Sequence, residues 1–197
     1  VEDRPAFWHM WRGGQMLTVP LTPVASCRAR WQIMAGNADH AGSDGLTVTI
    51  SVDIANMAIE AGGDDGLAAV AAHELAHIML EHRINLGTIE SRLRSARGDE
   101  ARELRKTLTA AQRQAEQDAD LLSQWLLTNA GYASEPGLAF YKRLASRELI
   151  SYSPIHGSWS KRTAAMRAEQ AEVMATPPDA DGLRAPPLLF GKGTYAW

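Results

Sequence analysis

The sequence predicts an α+β domain that is mostly helical and carries one small β-sheet. The stretch 46–54 (LTVTISVDI) alternates apolar and polar residues and is rich in β-branched side chains, which is typical of a strand. An Ala-rich apolar segment at about 66–83 predicts a buried helix, and 86–97 and 99–128 also have helical character. Since 45% of the 197 residues are hydrophobic, the chain can form one sizeable core.

The region before the apolar helix predicts the sheet. Residues 1–25 hold two tryptophans, a Gly-Gly break and two prolines, and we expect an arm or a short helix there. RARWQIMAG (28–36) is a second candidate strand, and the turn-forming run 37–45 would join it to 46–54 in a hairpin or small sheet. The turn-forming run GGDD (62–65) then separates the predicted strands from the helix, and Asp64 or Asp65 can cap the start of that helix.

The C-terminal third alternates loops and helices. We expect a loop at 129–137, a helix at 138–148, a loop at 149–160 and a helix at 161–174. The last residues are rich in proline and glycine and have no periodicity. The chain therefore divides into an unassigned arm (1–25), one domain (26–175) and a C-terminal tail (176–197).

Composition excludes several classes of protein. A net charge of −3 without basic clusters argues against a nucleic-acid partner. The single cysteine, Cys27, excludes an internal disulfide framework. No apolar run is long enough to span a bilayer, and no signal peptide is recognisable. Because the chain begins at Val1, we expect a processed product from which a leader or lipid anchor could have been removed.

The stretch AVAAHELAHIMLEH (69–82) predicts a metal site. A helix turns 100° per residue, so His73 and His77 project from nearly the same face and can take adjacent corners of a tetrahedral zinc site. Glu74 can reach a water on that metal and act as its base. The alternative is a buried helix whose histidines bond elsewhere, but burying these polar groups among apolar residues is costly unless something satisfies them. His82 would lie about 140° around the helix from His77, which favours a structural role.

A third ligand is predicted in AEQDADLLSQWLL (115–127). Glu116 and Asp120 are four residues apart and share a helix face. Glu116 can complete the zinc sphere, while Asp120 can accept a hydrogen bond from the far nitrogen of a zinc-bound histidine. The alternative is an acidic helix surface, with rival carboxylates at Glu100, Glu103 and Asp118.

Together these motifs resemble the gluzincin metallopeptidases, and more narrowly the family of the HtpX heat-shock protease and the CAAX prenyl protease, including its soluble bacterial envelope members. The resemblance covers about residues 28–175. LAAVAAHELAHIMLEH (67–82) is similar to the family's active-site helix, and EQDAD (116–120) to its third-ligand segment, with Asp118 in place of the usual glutamate. HGSWSKR (156–162) is similar to a later segment in which an arginine follows a histidine by six residues.

The resemblance implies a zincin-like fold, mostly helical, whose small sheet packs beside the active-site helix and which binds one Zn²⁺ per chain. It implies that His156 lies near the metal, where it would stabilise the oxyanion or bind zinc and close the site, and that Arg162 anchors the loop of His156. Gly157 replaces the family's usual proline, which puts the placement of His156 in doubt, and an exposed loop histidine is the alternative. The resemblance also implies an edge strand that pairs with extended substrate, for which our candidate is TVTIS (Thr47, Val48, Thr49, Ile50 and Ser51), with a plain core strand as the alternative.

The function implied is that of a zinc-dependent endopeptidase acting on extended or unfolded proteins in a bacterial periplasm or cell envelope. An alternative of another class is a zinc-binding, non-catalytic or chaperone-like module with a capped site. An intermediate case is a latent protease whose His156 loop must move before substrate enters.

Overall fold

The α+β class is confirmed by a computed structural model, which contains five helices and a three-stranded mixed sheet in the part of the chain that it describes. The described residues are 6–12, 14–21, 29–35, 40–147, 152–153 and 155–186. Cys27 and the last part of the predicted tail, 187–197, lie outside them. Among the described residues, no helix combines the length and the apolar character that crossing a membrane requires.

Five helices supply most of the structure. They are α1 (Val52–Met79), α2 (His82–Ser95), α3 (Gly98–Asn129), α4 (Glu135–Arg147) and α5 (Trp159–Ala175). Seven strands accompany them in the described ranges: β1 (Ala6–Arg12), β2 (Gln15–Leu21), β3 (Arg30–Met34), β4 (Ala41–Ser43), β5 (Thr47–Ser51), β6 (Tyr152–Ser153) and β7 (Gly157–Ser158).

The N-terminal region is a β-hairpin. β1 pairs with β2 in antiparallel register, from Ala6 opposite Leu21 to Arg12 opposite Gln15. Of the two alternatives expected for this region, the short helix is wrong for these residues, whereas an arm is compatible with a hairpin and stays a prediction. Gly14 has a φ of 79°, a left-handed conformation that glycine adopts without strain, and so allows the tight turn.

The three-stranded sheet has the order β3-β5-β4. β3 runs parallel to β5, whereas β4 is antiparallel to it, with Ala41 opposite Ile50. Val48 and Ile50 of the central strand are buried in the main core, which places the sheet against α1. The predicted small sheet thus forms, and residues 41–43 of the expected turn contribute a strand of their own.

Helix α1 begins earlier than the sequence pattern indicates. The Ser51 hydroxyl accepts a hydrogen bond from the backbone N–H of Ile54 at 3.2 Å and caps the helix, so the predicted strand ends at 51 and not at 54. The helix then kinks at Gly62 and Gly63, the latter with a φ of 60°. Asp65 accepts a hydrogen bond from the backbone N–H of Ala133 at 2.9 Å. Gly62 and Gly63 are non-helical, so the second helical segment starts directly after them, close to the predicted start at about 66. The hydrogen bond of Asp65 goes to the loop before α4 and not to the start of this segment, so the expected helix cap is not seen at Asp65.

The second half of α1 packs against α3 and α5. Ala76 of α1 and Ala119 of α3 are fully buried in one cluster with Leu122, Trp125 and Val173. Small side chains at such a contact allow helix axes to approach closely. On α1, Ala76 lies three residues after His73 and one before His77. On α3, Ala119 lies three residues after Glu116 and one before Asp120, so in both helices the polar pair flanks the buried alanine. The helix contact therefore brings these two polar pairs together.

Candidate metal centre

The two histidines of α1 direct their Nε2 atoms toward the same point. The Nε2 atoms of His73 and His77 lie 3.2 Å apart. Both side chains are largely buried, with 8% and 15% of their surface exposed. Their spacing of four residues on a helix produces this convergence, as expected from the turn of 100° per residue.

Glu116 of α3 faces these nitrogens. One carboxylate oxygen lies 3.6 Å from Nε2 of His73, and the other lies 3.6 Å from Nε2 of His77. The three residues offer ligand atoms that all lie within 4.8 Å of one another, an arrangement that could hold a metal ion. The structure therefore brings together the three residues that the sequence singles out as ligands.

The rival carboxylates are directed elsewhere. Asp118 is buried and accepts a hydrogen bond from the Gln114 side chain at 3.0 Å. Glu103 is exposed and pairs with Lys106, and Glu100 is exposed as well. Of the four acidic residues considered, Glu116 alone belongs to the group that could hold an ion.

Asp120 connects His73 to a buried arginine. One of its oxygens, Oδ1, lies 3.1 Å from Nδ1 of His73. The guanidinium of Arg162, from α5, donates to both oxygens of Asp120, with Nε 2.6 Å from Oδ2 and Nη2 2.8 Å from Oδ1. Nη2 also lies 3.3 Å from Glu116. A carboxylate only accepts hydrogen bonds, so a neutral His73 would carry its proton on Nδ1, which faces Asp120, and would direct the Nε2 lone pair into the site.

Arg162 and His156 both contact the ring of Trp159, the first residue of α5. The guanidinium lies 4.6 Å from the ring centre of Trp159, and the His156 ring stacks on the same tryptophan at 5.8 Å. The hydrogen bonds of Arg162 go to Asp120 of α3, and its expected role as an anchor of the His156 loop stays a prediction. Nε2 of His156 lies 3.9 Å from an oxygen of Glu116, and 40% of its side chain is exposed.

Burial and neighbouring charges shift the pKa values of the three candidate ligands. Burial alone would lower the pKa of His73, but the neighbouring Asp120 and Glu116 carboxylates raise it to about 10. Burial and the charge of His73 lower the pKa of His77 to about 3. Burial would raise the pKa of Glu116, yet His73 and Arg162 keep it below its ordinary value. In the absence of a metal, His73 is therefore the positively charged imidazolium of the pair, whereas His77 is neutral.

Glu74 lies on the wall of a cavity beside these ligands. Only 7% of the residue is exposed, and burial raises the pKa of its carboxyl group. The cavity has a volume of about 200 Å³. Its polar wall holds His73, Glu74, Glu116 and Arg162, and its apolar wall is formed by the side chains Ile54, Val70, Phe140, Tyr141, Leu144 and Trp159. Burial thus moves the pKa of Glu74 upward, the direction that makes a carboxylate a stronger base.

The predicted substrate strand does not lie at an edge. β5 (Thr47–Ser51) is flanked on one side by β3 and on the other by β4, so both of its edges are paired. The expectation that these five residues bind extended substrate is therefore wrong. β4 (Ala41–Ser43) is the strand that borders the site, because its three residues line a second opening that also includes His77 and Glu116. Sequence reasoning missed β4, which lies inside a run of turn formers.

His82 lies closer to His77 than the helix angle predicts. Its Nδ1 lies 2.9 Å from Nδ1 of His77, although an uninterrupted helix would carry it about 140° away. The helix ends at Leu80, and Glu81 adopts a left-handed conformation with a φ of 54°. No sequence signal marked this turn, since glycine or asparagine usually occupies such a position.

Comparisons of the chain with protein-family models, with curated proteins and with solved structures found no match. The function is therefore argued from the geometry of the site.

Proposed function

We propose that this protein is a zinc-dependent endopeptidase that hydrolyses peptide bonds of extended or unfolded proteins. One observation supports the proposal above all others. Two histidine nitrogens and a carboxylate converge beside a cavity whose wall includes His73 and Glu116, and a buried glutamate follows the first histidine directly. A structural zinc site is closed by four protein ligands and has no need of a base, whereas a catalytic one keeps a position open.

The donor set fits zinc in chemistry and in spacing. Zinc binds two imidazoles and a carboxylate readily, and a tetrahedral site with bonds of about 2.0–2.1 Å has donor atoms roughly 3.3–3.4 Å apart. The three separations here are 3.2 Å between the His73 and His77 nitrogens and 3.6 Å from each nitrogen to Glu116. One zinc ion per chain would thus be held without a large movement of the helices.

The mechanism assigns each neighbouring residue a task. When bound, zinc would polarise the substrate carbonyl and lower the pKa of a water molecule. Glu74 takes the proton of that water and passes it to the leaving amine. Asp120 holds His73 in orientation, and Arg162 in turn holds Asp120. A substrate strand lying along β4 would present its backbone at the second opening of the site.

His156 supports a latent form of the same enzyme. Its Nε2 is 3.9 Å from Glu116, yet His156 is not part of the group whose ligand atoms all lie within 4.8 Å of one another. The imidazole would therefore have to move in order to bind the metal. The adjacent Gly157 has a φ of 70°, so the short loop turns where glycine is favoured. The alternative task for this imidazole is to stabilise negative charge on the substrate oxygen, and its loss would then lower cleavage. His156→Ala should raise cleavage if the loop latches the site, and unchanged or lower cleavage would remove the latch.

The test combines metal analysis with proteolysis. We expect about one zinc ion in the purified wild type and chelator-sensitive cleavage of casein. Glu116→Ala should lose both, while Glu103→Ala, on the exposed face of the same helix, should keep both. Zinc retained in Glu116→Ala would mean that another residue is the third ligand. Zinc without cleavage in the wild type would favour the non-catalytic envelope module, the second function that the family resemblance leaves open. A periplasmic or envelope location is part of the proposal and rests on that resemblance.

A further inference from the structure

The imidazole of His82 packs edge-on against His77, on the side away from the metal position. The two ring centres are 4.9 Å apart at an interplanar angle of 72°. Their Nδ1 atoms lie 2.9 Å apart, which is hydrogen-bonding distance. Only 3% of His82 is exposed. A nitrogen-to-nitrogen bond between two neutral rings has one donor and one acceptor, so each ring constrains the tautomer of the other.

We propose that His82 is a positioning residue that fixes the orientation and tautomer of His77, so that the Nε2 lone pair of His77 is directed at the metal. The proposal rests on the metal site of the proposed function. It assigns to His82 the task that Asp120 performs for His73. No proton needs to leave or enter the pair for His82 to act in this way.

The tautomer follows from the geometry. If His77 binds through Nε2, its proton is on Nδ1, and that N–H donates to Nδ1 of His82. His82 then carries its own proton on Nε2, a buried nitrogen that has no hydrogen-bond partner among the described residues. The opposite tautomer would put a proton on Nε2 of His77, where it would point at His73 only 3.2 Å away and occupy the ligand position.

The turn between α1 and α2 places the ring. The backbone N–H of Leu80 donates to Ala76 and that of Glu81 to Ile78, which ends α1. Glu81 in its left-handed conformation reverses the chain direction, and α2 starts with His82 itself. A non-glycine residue with positive φ is strained, and such strain persists only where the surrounding structure holds it. Here the result of the strained turn is the contact with His77.

The two metal-binding histidines therefore have partners of different charge. His73 faces a carboxylate at 3.1 Å, whereas His77 faces a neutral imidazole at 2.9 Å. An anionic partner makes a ligand more basic and offsets the charge of the metal, and a neutral partner orients the ligand with less of that effect. His82 thus fixes geometry while leaving the metal more electron-poor than a second carboxylate would.

Two substitutions separate hydrogen bonding from packing. His82→Phe fills the space of the ring and removes the acceptor, whereas His82→Asn places an amide oxygen close to where Nδ1 lies. We expect His82→Phe to weaken zinc binding by about 10- to 100-fold in competition with a chromophoric chelator. The visible spectrum of its Co²⁺-loaded form should shift as well. His82→Asn should retain most of the affinity and the wild-type cobalt spectrum, as should the control His40→Phe, which alters an exposed histidine.

The melting temperature of each variant in chelator reports packing alone. Equal zinc affinities for His82→Phe and His82→Asn would overturn the proposal. So would losses of zinc affinity that merely parallel the losses of melting temperature measured in chelator. A wild type that does not bind zinc would overturn both this inference and the proposed function. A wild type that binds zinc and responds to His82 as described, but cleaves no peptide, would overturn the proposed peptidase function alone.

Discussion

Ala76 of α1 and Ala119 of α3 lie fully buried in one cluster, and each sits between the two polar residues that its helix contributes to the site. His73 and His77 flank the first alanine, and Glu116 and Asp120 flank the second. The spacing of the two helices therefore sets the distance between the histidine nitrogens and the carboxylates. This dependence on packing can be tested without altering any ligand.

Ala119→Leu should push the helices apart. Adding three carbons to a filled core destabilises proteins by about 1–3 kcal/mol, and here it should also abolish tight zinc binding, because every ligand is retained but misplaced. Denaturant unfolding and zinc titration check both effects. Ala110→Leu, on the exposed face of the same helix, is the control. Wild-type zinc affinity in Ala119→Leu would show that the ligands do not depend on this contact.

Glu74→Gln should keep the metal and lose the reaction. The amide cannot accept the proton of the attacking water, and general base catalysis typically contributes about 10²- to 10⁴-fold. Zinc content and kcat for a casein-derived peptide are the two measurements. Glu81→Gln, which changes an exposed glutamate, should leave both unchanged. Near-wild-type turnover in Glu74→Gln would remove this residue from the mechanism.

Asp120→Asn should reduce both stability and metal affinity. The change removes one of the two anionic partners of a buried guanidinium, and breaking a buried ion pair in this way costs about 3–5 kcal/mol. Zinc binding should weaken about 10- to 100-fold, because the amide that replaces the carboxylate has no negative charge to make His73 a more basic ligand. Unfolding in chelator and zinc competition measure the two losses. Asp99→Asn, which breaks an exposed pair with Arg102, should cost under about 1 kcal/mol.

Loading zinc at pH 6 should release about one proton. The pKa of His73 is raised to about 10, so this residue is protonated at pH 6 and must become neutral to bind. The pKa of His77 is lowered to about 3, so that ligand is already neutral. Titration calorimetry in buffers of different ionisation enthalpy gives the number, and zinc affinity should rise about tenfold per pH unit. Release of no proton would mean that His73 is neutral before the metal arrives.

The sequence predicted the features that depend on neighbours along a helix. His73 and His77, like Glu116 and Asp120, are four residues apart, and helix geometry alone puts each pair on one face. The sequence could not reveal strand order. β3 pairs in parallel with β5 while β4 occupies the other edge, and such pairing depends on contacts between distant segments. For this reason a buried central strand was mistaken for the substrate-binding edge.

The remaining differences arise at turns. The position of His82 depends on the left-handed conformation of Glu81. A glycine is the usual sequence signal for that conformation, and this position has none. The start of α1 depends on the Ser51 hydroxyl, which accepts a hydrogen bond from the backbone N–H of Ile54 and caps the helix. Propensity is a weak guide where one side chain decides between two structures. The zincin-like identity and the enzymatic activity stay predictions until zinc content and cleavage are measured.

The ionic groups around the metal position also define a charge balance. The carboxylates of Glu116 and Asp120 are matched by the Arg162 guanidinium and, without metal, by the proton on His73. Exchanging that proton for a divalent cation leaves one positive charge in excess. An ionised Glu74 restores electroneutrality, against the burial that favours its protonated form. Metal loading and ionisation of the base are therefore thermodynamically linked, because a bound divalent cation would lower the pKa that burial raises in Glu74.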